Sequence, residues 1–387
     1  MMFKDFMYYS PVRVVFGQGK LNETGDYVKQ YGKKALIVTT GTFFQENGLV
    51  DRLQKILQAS GVASEYYPDV DPNPLSTQVD QAVAFAKEKN CDVFIGLGGG
   101  SAIDAAKAIA YGVGHNEPIW PYWIGEKEMQ NNTMPIIAIT TTSGTGSHVT
   151  QYSVITNPET HEKPGMGNDS TYAKVAIVDP ELMLTLPTTI TAATGFDVLA
   201  HCIEAYTSNA STPITDMFCE EAIRLVGKCL RTAVNDGSNL DARNALAYAD
   251  TLAGYSIATA VITNCHAMAH AVGGVCTTTH GESLAAMTPQ TMRFSMSALP
   301  EKYANIGLFL RDEAAGKDGW QPEDSVKEVE TLIKDIGLNQ PLSEQGVQES
   351  DFEKIADDTL RYMAGAVELD PRPATKADIL EILKKSS

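Results

Sequence analysis

Basic residues are scarce: 30 Lys and Arg stand against 48 Asp and Glu in 387 residues, a formal net charge of -18. Such a surface repels phosphate backbones and anionic lipid, so neither nucleic acid nor membrane is expected as a partner. Long hydrophobic runs are missing as well, with none reaching the roughly 18 residues of a membrane span. The opening segment MMFKDFMYYSPVRVVFG holds one lysine and no apolar core, which argues against a secretory signal. Cysteine is sparse, at six residues, with no C-x-x-C pair and no dense framework. Cys91, Cys202, Cys219, Cys229, Cys265 and Cys276 fall in apolar or helix-like segments and read as buried free thiols in a reducing cytoplasm. Cys265 and Cys276 lie close in sequence to histidines, which leaves a site-lining role open for them. Internal repeats, low-complexity tracts and Pro/Ser-rich linkers are also lacking.

What is present is the composition of a globular protein, 43% hydrophobic and 20% charged. The length suits two packed domains. Short β-rich runs at Val12–Phe16, Ala35–Thr39, Asp92–Leu97, Ile136–Thr140 and Ala173–Val178 alternate with stretches of helical spacing, such as Val50–Gln58 and Thr77–Lys89. That alternation predicts a mostly parallel sheet covered on both faces. After Leu186-Pro187 the pattern turns helical throughout, in Ala192–Tyr206, Ile214–Val226, Asp241–Ala260 and Cys265–Gly273. The expected architecture is an α/β domain over residues 1–186, an all-helical (all-α) domain over 187–387, and a ligand cleft between them.

Two loops carry phosphate-binding character. The first, in Asp92-Val-Phe-Ile-Gly-Leu-Gly-Gly-Gly-Ser101, is a strand, a glycine-rich turn and a helix start. Its glycines admit a close ligand, and the free N–H groups of the new helix can hold an anion. The pattern departs from the dinucleotide fingerprint, because Ser101 stands where the third glycine would be, and from the P-loop, which needs Gly-Lys-Ser/Thr. The second loop, Ile139-Thr-Thr-Thr-Ser-Gly-Thr-Gly-Ser147, offers hydroxyls and N–H groups after another strand. Either one alone is compatible with a tight polar turn.

Histidine is rare too, yet four of the seven fall between residues 201 and 280. Asp197 and His201 stand four apart, hence on one helix face, and His266 and His270 repeat the spacing. His280 follows shortly after. One carboxylate with several imidazoles on otherwise apolar helices suits a borderline divalent cation, iron(II) or zinc, rather than calcium or magnesium. The spacing matches neither H-E-x-x-H nor a zinc finger, and by itself it leaves a metal-dependent hydrolase open.

Taken together, Gly98-Gly-Gly-Ser-x-x-Asp-x-x-Lys107, Thr141-Thr-Ser-Gly-Thr145, Thr191-Ala-Ala-Thr-Gly-x-Asp-x-x-x-His201, His266-Ala-Met-Ala-His270 and His280-Gly281 resemble the iron-containing alcohol dehydrogenase family over nearly the whole chain. The resemblance implies a metal held by Asp197, His201, His266 and His280, with His270 beside the nicotinamide as a proton relay and His280 also in the catalytic site. It further implies that residues 1–186 are a Rossmann-like dinucleotide-binding domain in which Asn73, Gly99, Gly100, Ser101, Thr141, Thr142, Thr145, Tyr152 and Lys163 contact the cofactor, and that residues 187–387 are the metal-binding domain. Thr40 takes the position where an NAD-preferring relative carries aspartate. With no carboxylate to repel a 2′-phosphate and no Arg or Lys in Thr40-Gly-Thr-Phe-Phe-Gln45 to attract one, NAD is expected, with NADP tolerated.

The reaction so implied is hydride transfer between NAD(H) and a small alcohol or aldehyde in the cytoplasm, by a homo-oligomer. His148, Ile257 and Thr263 differ from the glutamate, phenylalanine and glycine that relatives are expected to carry. Together with Asn264 they are candidates for the substrate pocket. Exchanging an anion for imidazole, hydroxyl and amide donors suggests an aldehyde with an anionic tail, such as sulfoacetaldehyde. The alternatives are a plain aliphatic alcohol or diol (ethanol, butanol, 1,3-propanediol) and, more remotely, a lyase resembling dehydroquinate synthase.

Overall fold

The computed structural model describes residues 5–115, 117–276 and 278–387. They divide into two compact units. Where the sequence suggested one cut after residue 186, the chain enters the helical unit at three places: residues 5–9, Ser143–Gly146, and from Leu184 to the end.

The α/β unit is built on six parallel strands: β1 (Arg13–Phe16), β2 (Lys34–Thr40), β3 (Ala63–Val70), β4 (Val93–Gly98), β5 (Ile136–Thr140) and, after a two-stranded ribbon of β6 (Ser153–Val154) and β7 (Gly165–Met166), β8 (Val175–Val178). Their order across the sheet is β1-β8-β5-β4-β2-β3. Every residue of β4 and β5 is buried, as expected of central strands covered on both faces. Helix α1 (Leu49–Ala59) buries Val50, Leu53 and Leu57, one stripe at helical spacing, and α2 (Ser76–Glu88) does the same with Val79, Ala82 and Ala86. Helix α3 (Gly100–Val113), which leaves the glycine-rich turn, is buried on nearly all sides and is correspondingly rich in alanine.

Strand β3 lacks a sequence signal. Its residues, Ala-Ser-Glu-Tyr-Tyr-Pro-Asp-Val, alternate poorly and include Pro68. It pairs only with β2, at the sheet edge, where a proline that cannot donate to a ladder is tolerated.

The helical unit is carried by α4 (Thr188–Thr207), α5 (Pro213–Asn235), α6 (Leu240–Ala260), α7 (Asn264–Val275) and α8 (His280–Ser295), with further helices toward the C-terminus. The starts of α5 and α6 are fixed by side-chain caps: Thr212 accepts from Thr215 N, and Asn239 from Ala242 N. Its core runs from Phe196 and Leu199 on α4 through Ile223, Leu246 and Met268 to Leu284 and Met287. Among the described residues no single helix is long and apolar enough to cross a membrane. All six cysteines are free thiols. Cys265 Sγ faces Thr288 Oγ1 at 3.5 Å, and Cys276 Sγ faces Asp351 Oδ2 at 3.7 Å, so both have partners away from the histidines.

Candidate metal and cofactor sites

In the helical unit, α4 presents Asp197, His201 and Glu204 at positions i, i+4 and i+7, hence along one face. Helix α7 brings His266 to that face. One ligand atom each from Asp197, His201 and His266 lie mutually within 4.8 Å, and all three residues are buried. His266 Nε2 is 3.2 Å from Asp197 Oδ1, and the His201 and His266 rings are stacked with centroids 4.3 Å apart. His280, at the start of α8, is half-buried, with Nε2 3.9 Å from the same carboxylate oxygen. His270 lies one turn beyond His266 on α7, its ring edge-on to His280 at 5.6 Å.

The electrostatics follow from burial of several ionisable groups around one acid. Burial alone would raise the Asp197 carboxyl, but His201, His266 and His280 outweigh it and hold the pKa well below the ordinary carboxylate range. Burial lowers His201 to about 4 despite Asp197, so this imidazole is neutral at working pH and has a lone pair to offer. His201 Nδ1 lies 3.2 Å from the Gly144 carbonyl and 3.6 Å from Asp197 Oδ1, both acceptors, an arrangement that suits a hydrogen on Nδ1 and a lone pair on Nε2. His266 behaves oppositely. Burial lowers it, yet Glu204 and Asp197 on either side of the ring raise it to about 9. Buried carboxylates and imidazoles brought together in this way are a donor set of the N/O type that iron(II) and zinc accept.

Glu204 is the residue that sequence reading passed over. Its Oε2 meets His266 Nδ1, while its Oε1 accepts from Thr263 Oγ1 at 3.2 Å, Cys265 N at 2.6 Å and His266 N at 3.1 Å. The signal was available in the helical spacing Asp197-x3-His201-x2-Glu204. A second buried acid, Asp250 on α6, accepts from Gly146 N at 2.7 Å and so ties down the Ser143–Gly146 segment. Gly144 needs its lack of a side chain, because a Cβ there would stand 2.8 Å from Thr194 Cβ and 3.1 Å from Thr194 Cα on α4.

In the α/β unit the two polar loops leave adjacent strand ends, since Gly98 at the end of β4 pairs in register with Thr140 at the end of β5. Thr141 N donates back to Gly98 O at 3.0 Å. Gly98 has φ 153°, a conformation for which glycine is suited, and a Cβ there would lie 2.8 Å from Ala102 Cβ. Gly99 precedes α3, and Gly100 and Ser101 form its first turn, so their N–H groups point out of the helix start. This is a cradle that a side chain would fill, placed at the carboxyl ends of the strands where ligands of open α/β sheets bind. Around it, Lys163 Nζ donates to Asn73 Oδ1 at 2.7 Å, and Asn73 holds φ 81°. Thr142 is half-buried beside Gly99, Thr40 ends β2, and Tyr152 is half-buried. Thr145 alone among these positions belongs to the helical unit.

Lys107 and Asp104 of the same motif are structural anchors. The fully buried Lys107 Nζ donates to the carbonyls of Ser147, Thr150 and Tyr152 at 2.7, 2.9 and 2.6 Å. Asp104 accepts from Ser147 Oγ at 2.6 Å and Val154 N at 3.0 Å. Burial lowers the Lys107 amine to about 8, with Asp104 opposing.

The pocket candidates are divided between the two units. His148 is buried in the α/β unit, its pKa lowered to about 3 by burial and by Lys107, so its ring is neutral. Ile257 lies in the apolar core of the helical unit. Thr263 Oγ1 is engaged with Glu204, and Asn264 donates to Arg372 O at 3.0 Å and accepts from Ala374 N at 3.4 Å. Each of those two side chains thus donates a hydrogen bond within the fold.

Comparison with known proteins identifies the family. Residues 11–180 match the family described as iron-containing alcohol dehydrogenase, and residues 191–387 match its C-terminal domain. The chain belongs to the iron-containing alcohol dehydrogenase family. This membership places it among oxidoreductases and apart from the lyase alternative. A 1,3-propanediol dehydrogenase of Citrobacter freundii is 36% identical over 389 residues, covering 100% of both chains. An archaeal halo-thermophilic alcohol dehydrogenase from a Red Sea brine pool superposes with a TM-score of 0.95 at 36% identity, again over 100% of both chains. A sulfoacetaldehyde reductase of Bifidobacterium kashiwanohense, solved in complex with NAD+, does so with a TM-score of 0.88 at 28% identity over 98% of each.

Proposed function

We propose that this family member interconverts a short primary alcohol and its aldehyde with NAD(H), using an iron(II) or zinc ion held by Asp197, His201, His266 and His280. The convergence of one buried carboxylate and three imidazoles within the helical unit carries the reading. The chemistry these four residues would recruit with a bound cation is that of a Lewis acid, which would lower the pKa of an alcohol hydroxyl and polarise an aldehyde carbonyl. Hydride transfer would be the contribution of a bound nicotinamide.

The remaining contributions belong to the chain. Within the α/β unit, Gly99, Gly100 and Ser101 would offer backbone N–H groups to the pyrophosphate, with Thr141, Thr142 and Lys163 as further donors and Asn73, Tyr152 and Thr40 at the cofactor's edge. Asp197 and the neutral His201 present lone pairs without first releasing a proton. His270, stacked edge-on to His280, is the candidate for passing a proton to or from the substrate oxygen.

For the substrate, a neutral short alcohol or diol is the reading best supported, because Thr263 and Asn264 are engaged within the fold and His148 carries no charge. An anionic aldehyde such as sulfoacetaldehyde is the second reading, favoured by the likeness to the reductase from Bifidobacterium. NADH consumption by the cation-loaded enzyme, with propanal, butanal and sulfoacetaldehyde in parallel, tests both. A kcat/KM at least tenfold higher for the neutral aldehydes, about 1.4 kcal/mol, is expected. The reverse ratio favours the anionic tail, and no turnover of any aldehyde or alcohol defeats the dehydrogenase reading.

A further inference from the structure

Helix α7 begins at Asn264, and its first N–H groups have no partners within the helix. They are met by a side chain from another helix. Glu204 Oε1 accepts from Cys265 N and His266 N, and also from the Thr263 hydroxyl. A carboxylate at a helix N-terminus is favoured by the helix dipole as well as by these bonds. The second oxygen of the same carboxylate, Oε2, lies against Nδ1 of His266. Glu204 is fully enclosed, at 4% exposure, so both oxygens depend on these donors for their solvation.

This division of labour has a chemical consequence for the imidazole. A carboxylate oxygen of an ionised acid only accepts, so Nδ1 of His266 must carry a hydrogen. When a cation binds, the proton it displaces comes from Nε2, the atom that faces Asp197 at 3.2 Å, and the lone pair left there is the one it can take. The opposite tautomer would leave two acceptors facing each other at Nδ1 and would place the hydrogen where the cation belongs.

We propose that Glu204 is a positioning residue: it fixes the start of α7 through one carboxylate oxygen and, through the other, fixes the His266 tautomer that leaves Nε2 free to bind the cation. The inference rests on the metal site proposed above. Carboxylates that hold metal-bound histidines in this way typically account for 10- to 100-fold in metal affinity.

Glu204→Gln is the discriminating variant, because glutamine has the same shape but only one accepting oxygen. Three donors converge on the Oε1 position, so the amide oxygen belongs there and the helix start keeps its bonds. The amide NH2 then faces His266 Nδ1 and donates to it, forcing the hydrogen onto Nε2. The expected result, read by competition with a chelator on the purified full-length protein, is a zinc affinity at least tenfold below wild type with the melting temperature of the metal-free protein little changed. Zinc affinity within twofold of wild type in a folded Glu204→Gln protein overturns the proposal.

A wild-type measurement serves even where that variant fails to fold. In the zinc-loaded enzyme, 15N NMR of labelled histidines should show His266 protonated at Nδ1 and metal-bound at Nε2. The converse assignment overturns the proposal. Wild-type protein that binds no zinc at all, or an Asp197→Asn protein that binds it as well as wild type, would instead defeat the metal-site reading itself, so the two failures are distinguishable.

Discussion

The Gly144 carbonyl and His201 Nδ1 are 3.2 Å apart, although the two residues are separated by 57 positions in the chain. The contact lies within the helical unit, because the short segment Ser143–Gly146 belongs there while the residues on either side belong to the sheet. It does for His201 what Glu204 does for His266, holding a proton on Nδ1 with an acceptor that never donates.

Gly144→Ala should therefore weaken cation binding without touching a ligand. The new Cβ would meet Thr194 Cβ, O and Cα at 2.8 to 3.1 Å, and the backbone of α4 cannot give way cheaply. Displacing the carbonyl frees the His201 ring, and we expect a loss of about tenfold or more in metal affinity. Chelator competition measures it, and an affinity equal to wild type would falsify the link.

Lys107→Met should destabilise the α/β unit by about 3 kcal/mol or more. The change removes the donor to three buried carbonyls and leaves Asp104 without its neighbouring cation. Denaturant midpoints decide the matter. A variant as stable as wild type means that the loop carbonyls find other partners.

A stability change with pH is expected from Asp250. Burial pushes its carboxyl up to about 8; the Gly146 N–H lowers it, Asp197 raises it further, and the Gly144 N–H lowers it. Between 3.8 and about 8 the folded protein keeps a proton that the unfolded chain has lost. Stability from this group is thus complete at low pH and declines as pH rises through that window, by up to about 1.4 kcal/mol per unit. Asp250→Asn, which mimics the protonated acid, should flatten the decline in the metal-free protein. Parallel pH profiles for the two proteins, measured by urea unfolding, contradict this.

Removal of the cation, or Asp197→Asn, should abolish turnover while the helical core persists. Asp197 faces all three imidazoles, and its amide replacement removes the negative charge they share. Activity assays after dialysis against chelator, with circular dichroism as the control for folding, give the answer. Undiminished turnover by the stripped protein rules the cation out.

Cofactor choice has a sharper basis than Thr40 alone. Asp69 on β3 stands in register beside Thr40 and is exposed, so a carboxylate is present at this end of the sheet although β2 lacks one. NADH should be preferred, and Asp69→Asn should raise kcat/KM with NADPH several-fold. A native preference for NADPH above about a hundredfold, roughly 2.7 kcal/mol, excludes this role for Asp69.

The sequence alone determined the order of the elements and the residues that share a face. Strand, glycine turn and helix could be read from Asp92 to Lys107, because alternation and helical spacing are properties of consecutive residues. Asp197 with His201, and His266 with His270, follow from the rise of one helical turn. Periodicity is silent about which face meets which. Only the packing of α4 against α7 turned His266 rather than His270 toward Asp197, set Glu204 under the start of α7, and drew Gly144 onto His201. Only the sheet pairing brought the loops after β4 and β5 to the same level, and recruited the polar, proline-containing β3 as an edge. Thr263 and Asn264 show the converse. From their neighbours in sequence they look like free donors, yet partners 59 and 108 residues away had already taken their hydrogen bonds. Burying polar groups forces such pairings, and their partners come from the whole fold rather than from adjacent sequence.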